Sequence, residues 1–164
     1  MADGIEEVTR SDEDAGAIER SYRANAPRLW RSLLLFSGNT DVADEALAEA
    51  FAQAVARGDA LRDVDAWIWK AAFKIAGGEL QRRRRLAVEA LPDLPVEMPQ
   101  ETVDLVSALR SLAPRQREAL ILHHYAGYST KEVARILGST APGVGMLMDR
   151  GRRKLRPLLE ERHE

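Results

Sequence analysis

A group of arginine and lysine side chains at positions 150–154 ends a segment of helix caps and turn formers. Ser129 and Glu132 have the spacing of a capping box, which predicts that a helix begins there. Gly138 suits the left-handed backbone of a helix end, and Pro142 fits the first turn of a second helix. Two short helices so joined are typical of a helix-turn-helix, whose second helix enters the DNA major groove. An ordinary helical hairpin is the alternative interpretation.

The composition excludes several kinds of chemistry. The 164 residues include no cysteine, so disulfides, zinc thiolate sites and cysteine nucleophiles are excluded. His123, His124 and His163 lack metal-ligand spacing, and no phosphate-cradling glycine loop or nucleophile constellation is present. We therefore expect no enzyme, no metal site and no cofactor. No apolar run approaches transmembrane length and the acidic start is unlike a signal peptide, which predicts a soluble cytoplasmic protein.

The net charge of −2 conceals a segregation along the chain. Residues 1–20 hold seven acids against two bases, and residues 86–101 hold four acids and no base. Residues 21–85 and 102–164 hold eleven bases each, against eight and seven acids. Two mildly basic blocks with an acidic link permit polyanion binding without demanding it.

Apolar periodicity predicts an all-α fold of two small helical domains. Residues 1–12 lack periodicity and are expected to be mobile, and residues 13–85 form the first domain. Residues 86–101 contain three prolines and are expected to be a flexible acidic linker. Residues 102–164 form the second domain, which ends in the helix-turn-helix.

Two local signals refine the helices. Pro27 should kink the first helix or divide it in two, and Thr40 is expected to cap the second helix. The first helix places Tyr22 on its apolar face with Leu29 and Leu33. Ahead of the helix-turn-helix, the expected helices cover about 14–36, 41–57, 64–85, 101–112 and 114–126.

The second and third helices carry contrasting charges. Acidic residues at 41, 44, 45 and 49 line one side of the second helix, either as a solvated face or as a docking surface for a basic partner. The third helix is apolar nearly all round over residues 65–80. It then ends in four consecutive arginines, Arg82 to Arg85, which indicate a solvated or phosphate-facing end.

Two parts of the sequence resemble the extracytoplasmic function (ECF) sigma factors of bacterial RNA polymerase. LRSLAPRQREALILHHYAGYSTKEVARILG and the residues that follow it, to position 155, resemble region four, which recognises the minus-thirty-five promoter element. DVADEALAEAFAQA and DAWIWKAAFKIA resemble region two, which grips the polymerase clamp and opens the minus-ten element. The resemblance covers nearly the whole chain from about Ala17. It implies an alternative sigma factor that binds core RNA polymerase and promoter DNA, with an anti-sigma factor as a further partner.

The resemblance also implies a role for three sets of residues. The polymerase-binding set is Asp41, Asp44, Glu45, Ala48 and Glu49. The set for the minus-ten element is Arg62, Trp67, Trp69, Lys70 and Lys74, in which the cations track phosphates and a tryptophan either stacks on a base or packs in the core. The set for the minus-thirty-five element is Lys131, Arg135, Thr140, Met146, Arg150, Arg152, Arg153 and Lys154.

The second helix of the helix-turn-helix departs from the family pattern. Gly145 stands where the family commonly has lysine, and Leu147 where it has arginine. Thr140 and Met146 remain for base contacts, while the basic residues suit phosphates. We expect weak or shape-dependent recognition of the minus-thirty-five element, or dependence on a partner. The alternative functions are a stand-alone helix-turn-helix regulator and a sigma-like adaptor that acts through protein contacts.

Overall fold

The computed structural model describes the backbone of residues 2–86 and 93–161, and within these ranges the side chains from Gly16 onward except that of Asp59. The all-helical class is confirmed for this part of the chain. A 3₁₀ turn, Gly58–Ala60, follows the second helix, and a π-helical turn, Ile121–Tyr125, continues the fifth. The α-helices are α1 (Ala2–Ser37), α2 (Thr40–Arg57), α3 (Val64–Arg85), α4 (Gln100–Leu109), α5 (Pro114–Leu120), α6 (Thr130–Leu137) and α7 (Ala141–Glu160).

Helices α1, α2 and α3 pack together as the first helical unit. The buried face of α2 is built mainly from alanines, which let its neighbours approach closely. Large side chains of α1 and α3 fill the space between them, and the rings of Phe36 and Phe73 meet edge to face at 5.2 Å. Trp69 of α3 is 0% exposed at the centre of this packing.

Helices α4 to α7 form the second unit, in which α7 crosses both α5 and α6. Helices α7 and α5 approach closely at Gly151, where a Cβ would lie 2.8 Å from Leu120 Cδ1 and would force that side chain to move. Val133 and Ile136 of α6 are buried, as are Val144 and Met148 of α7. Their apolar contact therefore sets the angle between the two helices of the helix-turn-helix.

The two units share one continuous buried core. Val106 of α4 packs against the turn after α1, where a Cβ on Gly38 would lie 3.1 Å from its Cγ1. The linker also binds this turn: Asp93 N donates to Gly38 O at 3.0 Å, and Thr40 N donates to Asp93 O at 2.9 Å. Direct packing thus supplements the tether that the prolines and acidic composition of residues 86–101 predict. The domain limits at 13–85 and 102–164 stay predictions.

Several helix limits differ from the sequence-based expectations, whereas α3 has the limits that were predicted. Asn39, not Thr40, caps α2, because its side chain accepts a hydrogen bond from Val42 N. Helix α1 continues through Pro27, so the alternative of two separate helices is wrong. Tyr22 is 50% exposed and does not join the buried face of α1.

Two predictions concern residues that the structure does not fully describe. Helix α1 begins at Ala2, well before the start expected near position 14, whereas the mobility of residues 1–12 stays a prediction. Residues 87–92 of the predicted linker also lie outside them. The end of that linker is helical, since α4 begins at Gln100.

Candidate polymerase and DNA interfaces

The helix-turn-helix has the local geometry that its sequence predicts. Ser129 Oγ accepts from Glu132 N at 3.2 Å, and Ser129 N donates to the Glu132 carboxylate at 2.7 Å, which completes the capping box. Gly138 ends α6 with a φ of 65°. The Thr140 hydroxyl caps α7 by accepting from Gly143 N at 3.1 Å. The predicted base contact of Thr140 therefore competes with its capping role.

The exposed face of α7 offers few groups for base readout. Met146 is 56% exposed and has no strong hydrogen-bonding group. A Cβ on the neighbouring Gly145 would meet open space. Leu147 is partly buried against the core. Direct readout needs donors and acceptors at the groove edge, so this face contributes little of it.

The predicted phosphate contacts of the second domain divide into free and engaged cations. Arg152 is engaged, because its guanidinium donates to Asp149 at 3.0 Å and also contacts His124. Arg135 is engaged too, since Nη1 lies 3.3 Å from Asp63 Oδ2 of the first domain. Among the predicted phosphate contacts of this domain, the exposed cations that form no ion pair within the described part of the chain are Lys131, Arg150, Arg153 and Lys154.

The predicted polymerase-binding residues of α2 are all exposed, and two of them also accept hydrogen bonds from neighbouring side chains. Asp44 accepts a hydrogen bond of 2.7 Å from Trp30 Nε1, which holds its carboxylate at the surface. Glu49 accepts from Gln53 Nε2 at 2.9 Å. The structure thus brings together Asp41, Asp44, Glu45, Ala48 and Glu49 on one helix.

Two apolar side chains beside the acidic face were missed by sequence reasoning. Val55 of α2 is 66% exposed, and Tyr22 of α1 is 50% exposed with its ring edge-on to Phe51 at 4.9 Å. Exposed large apolar groups near charges are typical of protein interfaces. The sequence did offer a signal for Val55: it lies seven residues, or about two helical turns, after Ala48 and so falls on the same side of α2.

Trp67 lies on the surface of α3 among cations. It is partly buried, and the Arg57 guanidinium carbon lies 5.2 Å from the centroid of its ring. The tryptophan borders two adjoining surface cavities of about 400 and about 430 Å³. Their basic lining residues are Arg57, Arg62, Lys70, Lys74 and Arg135. Sequence reasoning did not list Arg57 among the minus-ten residues, and it assigned Arg135 to the minus-thirty-five set.

Trp69 is placed differently from Trp67. Its ring is 0% exposed and stacks on Phe73 with the centroids 6.4 Å apart, while Tyr128 meets it edge-on at 5.1 Å. No face of this ring is open to a base in this arrangement. The core-packing alternative therefore applies to Trp69, because positions 67 and 69 point to different sides of the helix.

The run of arginines at the end of α3 is partly neutralised within the helix. Glu79 accepts hydrogen bonds from Arg82 and Arg83, which hold the pKa of its carboxyl at about 2. Arg84 and Arg85 are exposed and form no ion pair within the described part of the chain. The phosphate-facing capacity of this end therefore lies with the last two arginines.

Neither a metal site nor a membrane span emerges from the described residues. No group of three or more His, Asp or Glu side chains there is arranged to hold a metal ion. Among the described helices, none combines the length and apolar character that crossing a bilayer requires. The remaining charged features are the acidic face of α2 and the basic surfaces of α3 and α7.

Comparison with known proteins gives these surfaces a family. Residues 102–155 match the family model "Sigma-70, region 4". An RNA polymerase sigma-E factor of Streptomyces avermitilis is 30% identical over 96% of this chain and 86% of its own length. The ECF RNA polymerase sigma factor EcfG of Rhodopseudomonas palustris is 29% identical over 83% of this chain and 81% of its own.

A solved structure shares the fold. The sigma factor RpoE of Bartonella quintana, crystallised with the anti-sigma factor NepR, superposes with a TM-score of 0.73 at 22% identity. The match covers 87% of this chain and 96% of that one. Given the relative that is 30% identical along most of both chains, this protein belongs to the ECF family of RNA polymerase sigma factors and is an alternative sigma factor of transcription initiation.

Proposed function

We propose that three surfaces divide the work of initiation: the acidic face of α2 binds core RNA polymerase, the Trp67 surface holds the melted minus-ten element, and α7 sits on the minus-thirty-five element. The observation that carries this proposal is the position of Trp67, partly exposed among the cations of α3 and its neighbours. An aromatic face beside positive charges is the arrangement that binds single-stranded nucleic acid.

The polymerase surface combines charge with apolar area. Asp41, Glu45 and Glu49 supply carboxylates at successive turns of α2, and Val55 with Tyr22 supplies exposed apolar contact. Interface charges chiefly steer association and fix register, while desolvated apolar groups supply affinity. The partner surface for this face is therefore basic with an apolar centre.

The minus-ten surface has two tasks. Trp67 stacks on an unstacked base, a contact worth about 1 to 3 kcal/mol. Arg62, Lys70 and Lys74 neutralise the phosphates of the same strand. Trp69 instead supports the helix from inside, so its earlier assignment to DNA is dropped.

The minus-thirty-five surface binds by charge and shape. The free cations of α6 and α7 contact phosphates, which position the domain without reading sequence. Only Met146 projects an exposed large side chain from the first turns of α7 within the described residues. Promoter selectivity therefore rests mainly on the minus-ten element and on DNA shape.

The cellular setting follows from the family. The chain works in the bacterial cytoplasm beside the polymerase and has no catalytic role of its own. The related Bartonella quintana protein was crystallised with an anti-sigma factor, which supports a partner of that kind here. A stand-alone helix-turn-helix regulator would require neither the acidic face of α2 nor Trp67 at the surface.

The test is binding to bacterial core RNA polymerase on size exclusion. Reversing two charges, Asp44→Lys with Glu45→Lys, should weaken the complex at least about a hundredfold, because like charges across an interface cost several kcal/mol. The matched control reverses two exposed acids outside α2, Glu97→Lys with Glu101→Lys, and should bind like the original. Circular dichroism checks that both variants are folded. Absence of a complex with the unaltered protein would contradict the proposal.

A further inference from the structure

We propose that Trp30 of α1 is a positioning residue for polymerase binding: its indole N–H fixes the Asp44 carboxylate of α2 and leaves the charge intact for a lysine or arginine of the polymerase. This role of Trp30 rests on the function proposed above for α2, whereas the contact between the two side chains does not. Trp30 lies outside the set of polymerase-binding residues that the sequence predicts.

The contact joins two neighbouring helices of the first domain. Trp30 Nε1 donates to Asp44 Oδ1 at 2.7 Å, and the two residues are only 14 positions apart, on either side of the turn between α1 and α2. The Trp30 ring is partly buried and packs against the core, which fixes the donor in space. Asp44 is exposed, so the hydrogen bond is what limits the orientations of its carboxylate.

The donor is uncharged, and it therefore orients the carboxylate without cancelling its charge. An indole N–H only donates, whereas an ionised carboxylate has about four acceptor positions on its two oxygens. Trp30 uses one of these positions, which leaves capacity for a cation of a partner protein. A lysine or arginine at position 30 would instead form an ion pair and remove the negative charge that attracts a basic surface.

The acids of α2 differ in this respect from other acids of the molecule. Glu49 is also held by an uncharged donor, since Gln53 Nε2 donates to it at 2.9 Å. No ion pair within the described part of the chain involves an acid of α2. Four acids elsewhere in that part are paired with arginines: Glu19, Asp63, Glu79 and Asp149. The acidic face of α2 is thus both ordered and still charged.

Order in the free protein favours binding, because a side chain that is already fixed loses less freedom at the interface. Loss of this preorganisation at one side chain should weaken polymerase binding about threefold to tenfold. The effect is smaller than that of a charge reversal, which places like charges on both sides of the interface.

The experiment is a double-mutant cycle on binding of the full chain to immobilised bacterial core RNA polymerase. Trp30→Phe removes the donor and keeps an aromatic ring, and it should weaken binding about threefold to tenfold. In an Asp44→Ala background the same change should weaken binding less than about twofold, because no carboxylate is left to position. A Glu49→Ala background is the matched control, in which Trp30→Phe should keep its full effect. Circular dichroism checks that each variant is folded.

The cycle separates positioning from a structural role. A Trp30 that only stabilises the fold would weaken binding equally with and without the Asp44 carboxylate, or would not weaken it at all. Either result would overturn the proposal. Loss of the effect in the Glu49→Ala background would overturn it too, since Trp30 would then act on the whole face and not through Asp44.

A second arm leaves Trp30 unaltered. Asp44→Glu keeps the charge but adds a methylene, which moves the carboxylate relative to the indole. It should weaken polymerase binding about as much as Trp30→Phe does, and unchanged binding would contradict the positioning role. In NMR spectra of the free protein, Asp44→Ala should shift the indole N–H resonance of Trp30, which is identified by its absence from the Trp30→Phe spectrum. A resonance that does not move would contradict the contact itself.

Failure of this role and failure of the proposed function have different signatures. If Asp44→Lys with Glu45→Lys weakens binding while Trp30→Phe does not, α2 binds polymerase and the role of Trp30 alone is wrong. If neither change affects binding, the function proposed for α2 fails as well. The NMR measurement still decides in that case whether Trp30 holds Asp44 in the free chain.

Discussion

Among the described residues, the buried polar side chains of the first domain are uncharged, whereas that of the second domain is an arginine. Asn25 of α1 donates to Ser21 O and to Asp65 Oδ1, at 3.0 Å in each case. In the second domain, burial lowers the pKa of Arg117 to about 10. Burial also raises the pKa of the adjacent Glu118 carboxyl to about 7. The second domain is therefore the half with a largely buried carboxyl that titrates near neutral pH.

The surfaces that we propose to face DNA also differ between the two domains. Helix α3 presents Trp67 with cations around it, whereas α7 presents Gly145 and Met146 at the corresponding turns. The first surface has an aromatic ring on which a base can stack, whereas the second has mainly cations for the phosphates of the DNA backbone. The proposed function therefore predicts that promoter choice depends more on the first domain than on the second.

The largest expected effect among these surfaces is at Trp67. Trp67→Ala should lower the affinity of the polymerase-bound protein for bubble DNA by about fivefold to about 150-fold. One base then loses its stacking contact, which is worth about 1 to 3 kcal/mol. Trp67→Phe keeps an aromatic face and should retain most of the affinity. Gel-shift titration on bubble and fully paired DNA gives the measurement. Equal binding of Trp67→Ala and the unaltered protein to the bubble would exclude the stacking role.

Glu118 provides the next largest effect, on stability. Its pKa is about 7 in the folded chain against 4.5 for the free side chain, so the folded state binds more protons between these values. The free energy of unfolding therefore falls as pH rises through this window and stays low above it. Glu118→Gln should stabilise the protein by about 1 to 3 kcal/mol at about pH 8 and not at about pH 4.

Urea unfolding at both pH values measures this difference. The exposed Glu160→Gln serves as the control and should leave the free energy of unfolding nearly unchanged at either pH. A gain of the same size at both pH values would show that packing, rather than proton binding, explains the result at position 118.

The smallest expected effect is a gain at Gly145. Gly145→Lys should raise affinity for duplex DNA about threefold to tenfold and increase the salt dependence by about one released ion. Nothing lies within 4 Å of a Cβ at this position, so the new side chain meets no obstacle. Gly145→Ala is the control: it gains the helix propensity that glycine lacks, about 1 kcal/mol, without adding a charge. A gain that the alanine variant reproduces would mean that α7 was limited by its helix and not by its missing donors.

Much of the fold could be predicted because its signals are local. The Ser129–Glu132 capping box, the left-handed Gly138 and the limits of α3 all depend on residues a few positions apart. Where signals compete within one turn, prediction failed: Asn39 and Thr40 both suit a cap, and Thr40 instead donates its hydroxyl to Asp93 O at 3.0 Å. That acceptor lies 53 positions away.

The candidate site divides in the same way. The acidic face of α2 could be predicted from its helical period, because exposure there depends on one helix alone. The roles of Trp67 and Trp69 could not be predicted, since both lie in the same apolar stretch of sequence. They differ only in what packs against them in the folded chain. The Tyr128 ring that covers Trp69 belongs to the other domain.

The amino-acid sequence by itself determined the all-helical class, the two caps of α6 and the family, because short-range hydrogen bonds and apolar periodicity depend on neighbouring residues. Tertiary structure alone decided which tryptophan is exposed, where Arg135 points, and that Arg117 reaches Phe36 O at 2.7 Å. The Arg135 and Arg117 contacts join residues 72 and 81 positions apart. Their geometry depends on how two packed domains meet, which no local pattern specifies.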